Sequence, residues 1–305
     1  MPVKLQVPAT CANLGPGFDA LGLAVSIYNY LEVDTPVEGP GLTIHMTGEG
    51  AKNLPADERH LVYQAASRVF HHLHKPVPRL SIRQHNTIPL CSGLGSSAAA
   101  IVGGLFAANE LLQRPLSRHE LLNLAQAEEN HPDNITPALF GGITAACATP
   151  EGVRFSTIRP AACFEALELV LAVPDYVLPT HESRRVLPNQ ISFADAVFNA
   201  SRTALLVAAL TAGDAQHLRT ATEDRLHQPY RLPLVPGLQS VLEAALAAGA
   251  LGAFLSGAGP TVLAFSLSDA QVVGRQMQDA FAQAGVSCTI HTSRISTTGV
   301  EIIRS

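Results

Sequence analysis

The spacing of hydrophobic and polar positions changes character near residue 160 of this 305-residue chain. Before that point, short apolar runs bounded by Gly and Pro, typical of strands, alternate with segments whose apolar residues recur every three or four positions. The clearest helical spacing covers residues 61–73, where Val62, Ala65, Val69 and Phe70 share one face. The apolar runs predict strands over residues 3–7, 23–33, 42–46, 80–84, 143–148 and 153–158, the last two as a hairpin.

The second half combines one long helix-rich stretch with a few strands. A strand over residues 167–173 precedes the helix-rich stretch at 192–248, and another helix is predicted over 269–284. Because strand pairs are mixed with helices instead of alternating strictly with them, the pattern predicts two α+β domains, at residues 1–160 and 161–305. The remaining predicted strands cover residues 253–255, 261–265 and 288–292, and the first two flank a Gly-rich turn.

Two helices follow a glycine-rich segment in the first half. The first contains Gly103 and Gly104, each of which costs about 1 kcal/mol relative to Ala, so close packing against a neighbouring backbone is expected there. The second starts at Ser117, because Ser-Arg-His-Glu is a capping-box pattern ahead of a run of leucines. It ends near Asn130, since the proline two residues later cannot continue a helix and Asn tolerates the left-handed C-terminal position.

Composition narrows the class of protein. A formal net charge of -5 and a pI of about 6.2 argue against a nucleic-acid or anionic-membrane surface. The longest apolar run, residues 98–108, is shorter than the span of about 20 residues that a bilayer needs, and MPVKLQVPAT lacks the apolar core and cleavage site of a signal peptide. The five cysteines are odd in number, scattered and without a CxxC pair, which predicts reduced, mostly buried thiols in the cytoplasm.

The glycine-rich segment is PLCSGLGSSAAA, residues 89–100. It is not the usual P-loop, because none of its glycines precedes a lysine. It fits the dinucleotide pattern GxGxxG/A, but Pro89 interrupts the approaching strand and the nearest acid, Glu110, lies inside the helix, so this interpretation is disfavoured. Two interpretations remain. The segment is either a mononucleotide phosphate site, built from free N–H groups and the dipole at a helix start, or an ordinary Ser-capped helix after a flexible turn.

The scarcity of lysine bears on the phosphate interpretation. The chain has three lysines, Lys4, Lys52 and Lys75, and none adjoins the loop, so a triphosphate there must be neutralised by backbone amides, arginines and a metal ion. Glu128 and Glu129 fall in the last turn of their helix, where the dipole disfavours a carboxylate by about 0.3–1 kcal/mol. A nearby Mg²⁺ would account for them, because it prefers carboxylate and phosphate oxygens. A solvated helix end is the alternative.

Five ordered stretches resemble the GHMP kinases, the group that contains galactokinase, homoserine kinase, mevalonate kinase and phosphomevalonate kinase. The first, third and fourth resemble the homoserine kinases in particular. The stretches are PATCANLGPGFDALG (residues 8–22), PLCSGLGSSAA (89–99), HPDN with PALFGG (131–134 and 137–142), THESR (180–184) and SGAGPT (256–261).

The resemblance implies ATP-dependent and Mg²⁺-dependent phosphorylation of the side-chain hydroxyl of L-homoserine, a step toward threonine. It implies a two-domain α+β fold with a ribosomal-S5-like N-terminal domain, a ferredoxin-like C-terminal domain and the active site between them. We expect a cytoplasmic enzyme of small molecules, without nucleic-acid or membrane partners, and a homodimer is a family expectation only. The alternatives are a GHMP-type kinase of another small alcohol, such as mevalonate or a sugar, and a non-catalytic nucleotide-binding relative.

The resemblance also implies roles for individual residues. The ATP-binding residues would be Pro89, Leu90, Cys91, Ser92, Gly93, Leu94, Gly95, Ser96 and Ser97. The metal ligands would be Ser97 and Glu129. The substrate-binding residues would be Asn13, Asp19, His131, Asp133, Arg184, Arg231, Gly257 and Gly259, with the two arginine forks suited to a carboxylate. The catalytic residues would be Asp133, Asn134 and Thr180.

Two points stay open at this level. Asn130 stands where relatives have Gly between the glutamate and the histidine, so the metal-ligand position fits Glu128 or Glu129. Asp133 is the one acid in these motifs that could serve as a base, whereas the resemblance casts it as a substrate ligand.

Overall fold

The computed structural model describes residues 2–303, which form eleven strands and ten α-helices. The strands are β1 (Val3–Ala12), β2 (Leu21–Asp34), β3 (Leu42–Gly48), β4 (Leu80–Asn86), β5 (Ile143–Thr149), β6 (Gly152–Ile158), β7 (Glu168–Pro174), β8 (Gly252–Leu255), β9 (Val262–Ser266), β10 (Cys288–Ser293) and β11 (Glu301–Ile302). The helices are α1 (Leu61–His72), α2 (Ser96–Leu111), α3 (Arg118–Glu129), α4 (Pro132–Phe140), α5 (Thr180–Arg185), α6 (Phe193–Ala212), α7 (Leu218–Ala221), α8 (Gln228–Arg231), α9 (Leu238–Ala247) and α10 (Ala270–Gln283).

The strands form two sheets, as the mixed pattern predicts. The first has the order β11-β1-β2-β4-β3, with β5 also pairing with β2 and β6 with β5, and its pairs are antiparallel except for β3 with β4. The second is antiparallel, in the order β10-β7-β9-β8. The end of the chain returns to the first sheet, because β11 pairs with β1 and Ile295 bridges to Val25.

Strand β1 runs five residues beyond the predicted strand, through Pro8. The register with β2 shifts between Pro8 and Ala9, so the residue that lacks an N–H lies at an irregularity of the ladder, where it is tolerated. The strand beyond Pro8 is buried at every position. This extension carries the first motif into the interior, next to the glycine-rich loop.

The predicted helix signals are found where the sequence places them. Ser117 accepts from the Glu120 backbone N–H while the Glu120 carboxylate accepts from the Ser117 N–H, which completes the capping box of α3, and Asn130 ends the helix at a φ of 63°. A Cβ on Gly104 would overlap the Val62 carbonyl of α1, which confirms close backbone packing at that glycine. Gly103 instead faces side chains.

Two helices were not predicted, and one sequence expectation needs correction. The first unpredicted helix is α4, which begins after Asn130 with Pro132 in its first turn, where its missing N–H has no helical partner to lose. Helix α5 was not predicted, since it is a short helix without apolar periodicity. Most of the thiols are not buried: all five cysteines are free, Cys11 alone is buried, Cys288 is half-buried, and Cys91, Cys147 and Cys163 are exposed.

Helix α6 is, within residues 2–303, the helix whose length and composition would allow it to cross a membrane, with a mean hydropathy of 1.3. Polar residues interrupt its first half, and its longest continuous apolar run covers residues 204–210. Asn199 and Thr203 donate to the Pro16 carbonyl, which ties the helix to the loop after β1. Helices of folded domains share these properties, so α6 alone does not indicate a membrane span.

Candidate active site

A cavity of about 310 Å³ collects most of the predicted site residues from loops and helices of both halves of the chain. Those that line it are Asn13, Asp19, Leu90, Cys91, Ser92, Gly93, Leu94, Gly95, Ser96, Ser97, Glu129, His131, Asp133, Asn134, Thr180, Arg184, Arg231 and Gly257. Two predicted residues do not face it: Pro89 precedes the lining part of the loop, and Gly259 lies behind Gly93, packed against it.

The glycine-rich loop reaches α2 through left-handed backbone. Gly93 and Gly95 have φ values of 85° and 67°, and a Cβ on either would overlap the Ser256 carbonyl or the Thr10 hydroxyl. Gly95 is the N-cap of α2 and has no side chain with which to cap it. The Ser-capped alternative is therefore wrong, because the first N–H groups of α2 receive no capping side chain and remain available to an anion.

Hydrogen bonds hold the loop from both sides. The Thr10 N–H of β1 donates to the Leu94 carbonyl at 3.1 Å. From the Gly-rich turn after β8, the Ser256 hydroxyl donates to the Gly93 carbonyl at 2.7 Å, and the Thr261 N–H donates to the Ser92 carbonyl at 3.0 Å. The protein's own hydrogen bonds therefore fix the shape of the loop, and the second Gly-rich turn serves partly to support it.

The two glutamates at the end of α3 take different partners. The Ser97 hydroxyl donates to Glu129 Oε1 at 2.5 Å, at the edge of the cavity. Glu128 forms an ion pair with Arg68 of α1 and does not line the cavity. Of the two candidates that the sequence leaves open, Glu129 is thus the one beside the phosphate loop. Its carboxylate and the Ser97 hydroxyl both offer oxygen atoms, which are the ligands that Mg²⁺ prefers, so these two residues fit that ion.

An acidic cluster lies further into the cavity. His131 Nδ1 is 3.2 Å from Asp133 Oδ1, and ligand atoms of Asp19, His131 and Asp133 all lie within 4.8 Å of one another. Burial opposes the charged form of His131, but the hydrogen bond and the charge of Asp133 outweigh it, so the pKa of His131 is raised above its usual value. The raised pKa therefore reflects the carboxylate that faces the ring.

Two arginines stand next to the acidic cluster. Arg184 of α5 binds both carboxylate oxygens of Asp19, at 2.6 and 3.2 Å, and its guanidinium lies 5.4 Å from the centre of the Phe18 ring. Arg231 of α8 is 1% exposed and lies 5.7 Å from the same ring. Burial lowers the pKa of Arg231 to about 10, which leaves it charged at neutral pH.

The backbone around Arg231 holds its guanidinium in place. Nη1 donates to the Gly257 carbonyl at 2.8 Å and Nε donates to the Ser183 carbonyl at 3.3 Å. Its other amino group, Nη2, has no protein acceptor in the described part of the chain. Asn13 also donates to Gly257, at 3.0 Å, and accepts from the Asp19 N–H. Gly257 is thus a shared acceptor between the loop after β1 and α8.

Asn134 and Thr180 also line the cavity. The Asn134 side-chain oxygen accepts from the Thr10 hydroxyl at 2.8 Å, so β1 orients it. Thr180 is the first residue of α5 and is exposed to the cavity. Both residues therefore line the same cavity as the glycine-rich loop.

One arm of the cavity was not predicted. It lies beyond the phosphate loop, and its polar members include buried atoms without hydrogen-bond partners, His60 Nδ1 and Gln84 Oε1. Burial lowers the pKa of His60. A signal for part of this arm was present, because Gln84 and Asn86 occupy the buried face of the alternating strand β4, where apolar residues are expected. The residues of this arm are Leu54, Pro55, Arg59, His60, Leu61, Gln84 and Asn86.

Two family models match the chain. The GHMP kinases N terminal domain matches residues 60–142, and the GHMP kinases C terminal model matches residues 206–283. The phosphate loop lies in the first region and Arg231 in the second. The fold and the site therefore define a GHMP-type kinase, with the two-domain α+β architecture that the motifs imply.

Individual relatives narrow the family. The homoserine kinase of Moorella thermoacetica is 45% identical over 288 residues, which cover 94% of this chain and 95% of the relative. That of Microchaete diplosiphon is 44% identical over 298 residues, 97% and 96% of the two chains. The crystal structure of homoserine kinase from Cytophaga hutchinsonii superposes with a TM-score of 0.89 at 30% identity, covering 99% of this chain and 97% of that one. The chain belongs to the homoserine kinase family.

Proposed function

We propose that the cavity transfers the γ-phosphoryl group of ATP to the side-chain hydroxyl of L-homoserine, giving O-phospho-L-homoserine for threonine synthesis. The observation that carries the proposal is the placement of an acidic cluster and two arginines beside an uncapped helix start. A zwitterionic amino acid requires a site with both positive and negative groups, and a phosphate requires N–H groups such as those at the start of a helix. A sugar or mevalonate has no ammonium group to satisfy the acidic cluster.

The phosphates of ATP would lie against the first turn of α2. The backbone N–H groups after Gly95 point toward that position, and the left-handed glycines allow the close approach. The purine would enter the arm lined by Leu54, Leu61 and the buried polar residues Gln84 and His60. Unpartnered buried atoms there would find hydrogen-bond partners on the base.

Mg²⁺ would be held by Ser97 and Glu129, which are already in contact. The ion would supply positive charge to neutralise the phosphates, because the loop has no lysine to do so. Glu128 would have no part in this site, because Arg68 occupies its carboxylate.

The substrate's ammonium group would lie against Asp19 and Asp133, and its carboxylate against Arg184 and Arg231. Asp19 and Arg184 form an ion pair with each other, so the substrate's ammonium and carboxylate groups would replace the attraction that this pair loses on binding. Asn13 and Gly257 fix the geometry from behind.

Phosphoryl transfer requires positioning and charge stabilisation more than covalent help. Asp133 is 2% exposed, and its Oδ1 is hydrogen-bonded to His131, which leaves Oδ2 to orient the substrate. We assign Asp133 as a substrate ligand and not as a dedicated base. Asn134, held by Thr10, and Thr180 would orient the hydroxyl toward the phosphate loop.

A coupled assay of ADP release tests the proposal. With ATP and Mg²⁺, the purified protein should turn over L-homoserine, and it should do so far faster than mevalonate or galactose. Preferred turnover of one of those alcohols would replace the substrate assignment. Tight ATP binding without release of ADP with any acceptor would indicate a non-catalytic relative.

Two further properties belong to the proposal. A cytoplasmic location accords with free thiols and with small-molecule substrates that are made inside the cell. A homodimer is proposed from family expectation alone, and its test is the molar mass of the full chain in solution.

A further inference from the structure

His227 is a fully buried histidine that precedes α8 and lies four residues before Arg231. Its Nε2 is 2.8 Å from the Gly15 carbonyl oxygen, and its Nδ1 is 3.0 Å from Arg231 Nη1. A carbonyl oxygen can only accept a hydrogen bond, and a guanidinium can only donate. The ring must therefore be neutral, with its proton on Nε2 and its free lone pair on Nδ1.

The surroundings of His227 hold the ring in this orientation. It stacks on Phe18 with the ring centres 5.4 Å apart, and both active-site arginines lie over the same Phe18 ring. Asp224 accepts from the backbone N–H groups of His227 and Gln228 at 3.0 and 2.7 Å. Because Asp224 also accepts from the side chain of Asn199, its carboxylate is occupied on both oxygens.

The two partners of the ring belong to two segments that are distant along the chain and that both carry residues of the proposed substrate site. Gly15 lies in the loop that carries Asn13 and Asp19, on the side assigned to the ammonium group, and Arg231 lies on the side assigned to the carboxylate. The Arg231 guanidinium has two other acceptors, the carbonyls of Gly257 and Ser183. The ring is the one side-chain acceptor for Arg231 in the described part of the chain.

We propose that His227 is a positioning residue for substrate binding, whose neutral ring fixes the Arg231 guanidinium and joins it to the Asn13–Asp19 loop. The inference rests on the proposed function of the cavity, because it concerns the spacing between the groups that hold the substrate's carboxylate and ammonium. His227 does not line the cavity, so it acts through Arg231 and the loop and not on the reacting atoms.

Burial keeps the ring neutral although the Asp224 carboxylate lies 3.6 Å from its Nε2. Burial lowers the pKa of His227, and the positive charge of Arg231 acts in the same direction, although Asp224 opposes it. A protonated ring would direct an N–H at the Arg231 amino group, which cannot accept it. The positioning role therefore should not switch off within the working pH range.

Two conservative replacements separate the two contacts. In His227→Asn the shorter amide oxygen can take the place of Nδ1 and accept from Arg231, but the side chain does not reach Gly15. In His227→Gln the amide can take the place of Nε2 and donate to Gly15, but it leaves Arg231 without its side-chain acceptor. His217→Asn, at an exposed histidine in the same half of the chain, is the matched control.

The expected result is a split between kinetic constants. His227→Gln should raise the KM for homoserine about tenfold or more, because a hydrogen bond to a charged group is lost, while kcat and the KM for ATP change little. His227→Asn, which keeps the contact to Arg231 and loses the contact to Gly15, should raise the KM for homoserine by a clearly smaller factor, and the control should match the wild type. Equal losses in the Asn and Gln variants, or parallel changes in the KM of both substrates, would show a merely structural histidine and overturn the proposal.

The tautomer gives a test that is independent of catalysis. In the ¹⁵N-histidine NMR spectrum of the wild-type protein, the signals absent from His227→Asn should show a protonated Nε2 and a bare Nδ1 from about pH 5.5 to pH 8.5. A titrating ring, or a proton on Nδ1, would overturn the proposal even if the variants fail to fold. If the wild type shows this tautomer but does not turn over homoserine, the assignment of the substrate fails and not the geometry of the ring.

Discussion

At the scale of single residues, the site depends on which side of a helix end or loop a side chain faces. Glu128 and Glu129 have the same chemistry and adjacent positions, yet one pairs with Arg68 and the other accepts from Ser97. Arg184 and Arg185 differ in the same way, because the first binds Asp19 and lines the cavity while the second is exposed. Glu128 and Arg185 can therefore serve as control positions for substitutions at Glu129 and Arg184.

Replacing Glu129 tests the metal assignment. Glu129→Gln keeps the shape but removes the negative charge, so we expect Mg²⁺-dependent turnover to fall about a hundredfold or more, with a higher Mg²⁺ concentration at half-saturation. Turnover is measured by ADP release across a Mg²⁺ titration. Glu128→Gln is the control and should stay near the wild-type rate; the reverse ranking would move the metal site to Glu128.

Replacing Arg184 tests the carboxylate site. Arg184→Ala should raise the KM for homoserine about tenfold or more and leave the KM for ATP within about twofold, because a bidentate charged contact to one substrate is lost. Arg185→Ala is the matched control on the same helix and should leave both constants unchanged. An equal effect of Arg184→Ala on both substrates would contradict a role in binding the amino acid.

Two buried histidines should give the fold an acid-sensitive stability. The pKa values of His60 and His227 are lowered in the folded protein, so between their folded values and the unfolded value of about 6.5 the unfolded chain binds more protons. Above about pH 6.5 both histidines are neutral in the folded and the unfolded chain and do not reduce the free energy of unfolding. As the pH falls below about 6.5, protonation of the unfolded chain lowers that free energy. Urea unfolding at about pH 7.5 and 5.5 should show a smaller pH dependence of the unfolding free energy for His60→Asn than for the wild type. An unchanged pH dependence would refute the contribution of His60.

At the scale of elements, local signals correctly placed most helices and strands. The capping box and left-handed Asn130 of α3 depend on residues within one turn, so the sequence was enough to predict them. Helix α4 was missed because its first residue, Pro132, is also a reason for α3 to end. Helix α5 was missed because six residues carry too little periodicity, although they hold Thr180 and Arg184.

Packing between α1 and α2 gives a prediction at this scale. An exposed helical Gly→Ala change would stabilise a protein by about 1 kcal/mol, whereas Gly104→Ala should destabilise it by about 1–3 kcal/mol because the added methyl meets the Val62 backbone. Thermal and urea unfolding measure the change. Gly103→Ala faces side chains of Val7 and Leu31 that can adjust, so its cost should be clearly smaller. Equal effects at the two glycines would argue against the backbone contact.

At the scale of the whole molecule, the two halves are joined more closely than a division at residue 160 suggests. The larger hydrophobic core contains buried residues of both, such as Leu23 and Val102 from the first and Leu171 and Phe254 from the second. Strand β11 also returns to the first sheet. The boundary at residue 160 therefore stays a prediction about domains, and it does not mark a break in the packing.

A fragment of residues 1–160 tests that boundary. It lacks β11, the bridge from Ile295 to Val25 and the second half's share of the core, so it should show no cooperative thermal transition by circular dichroism. The full chain, examined in the same buffer, should unfold cooperatively. A fragment with a sharp transition and dispersed NMR signals would establish residues 1–160 as an independent domain.

The sequence by itself determined the family, the order of the motifs, the lysine-free phosphate loop and the local caps, because these depend on residue types at short, definite spacings. The tertiary structure alone decided that Glu129 and not Glu128 meets Ser97, that Gly259 supports the loop from behind, and that Gln84 and His60 line the unpredicted arm. It also placed His227 between Gly15, which is 212 residues away along the chain, and Arg231, which is four residues away. The physical reason is that a side chain's partner across the core is set by packing between distant segments, which no local pattern records.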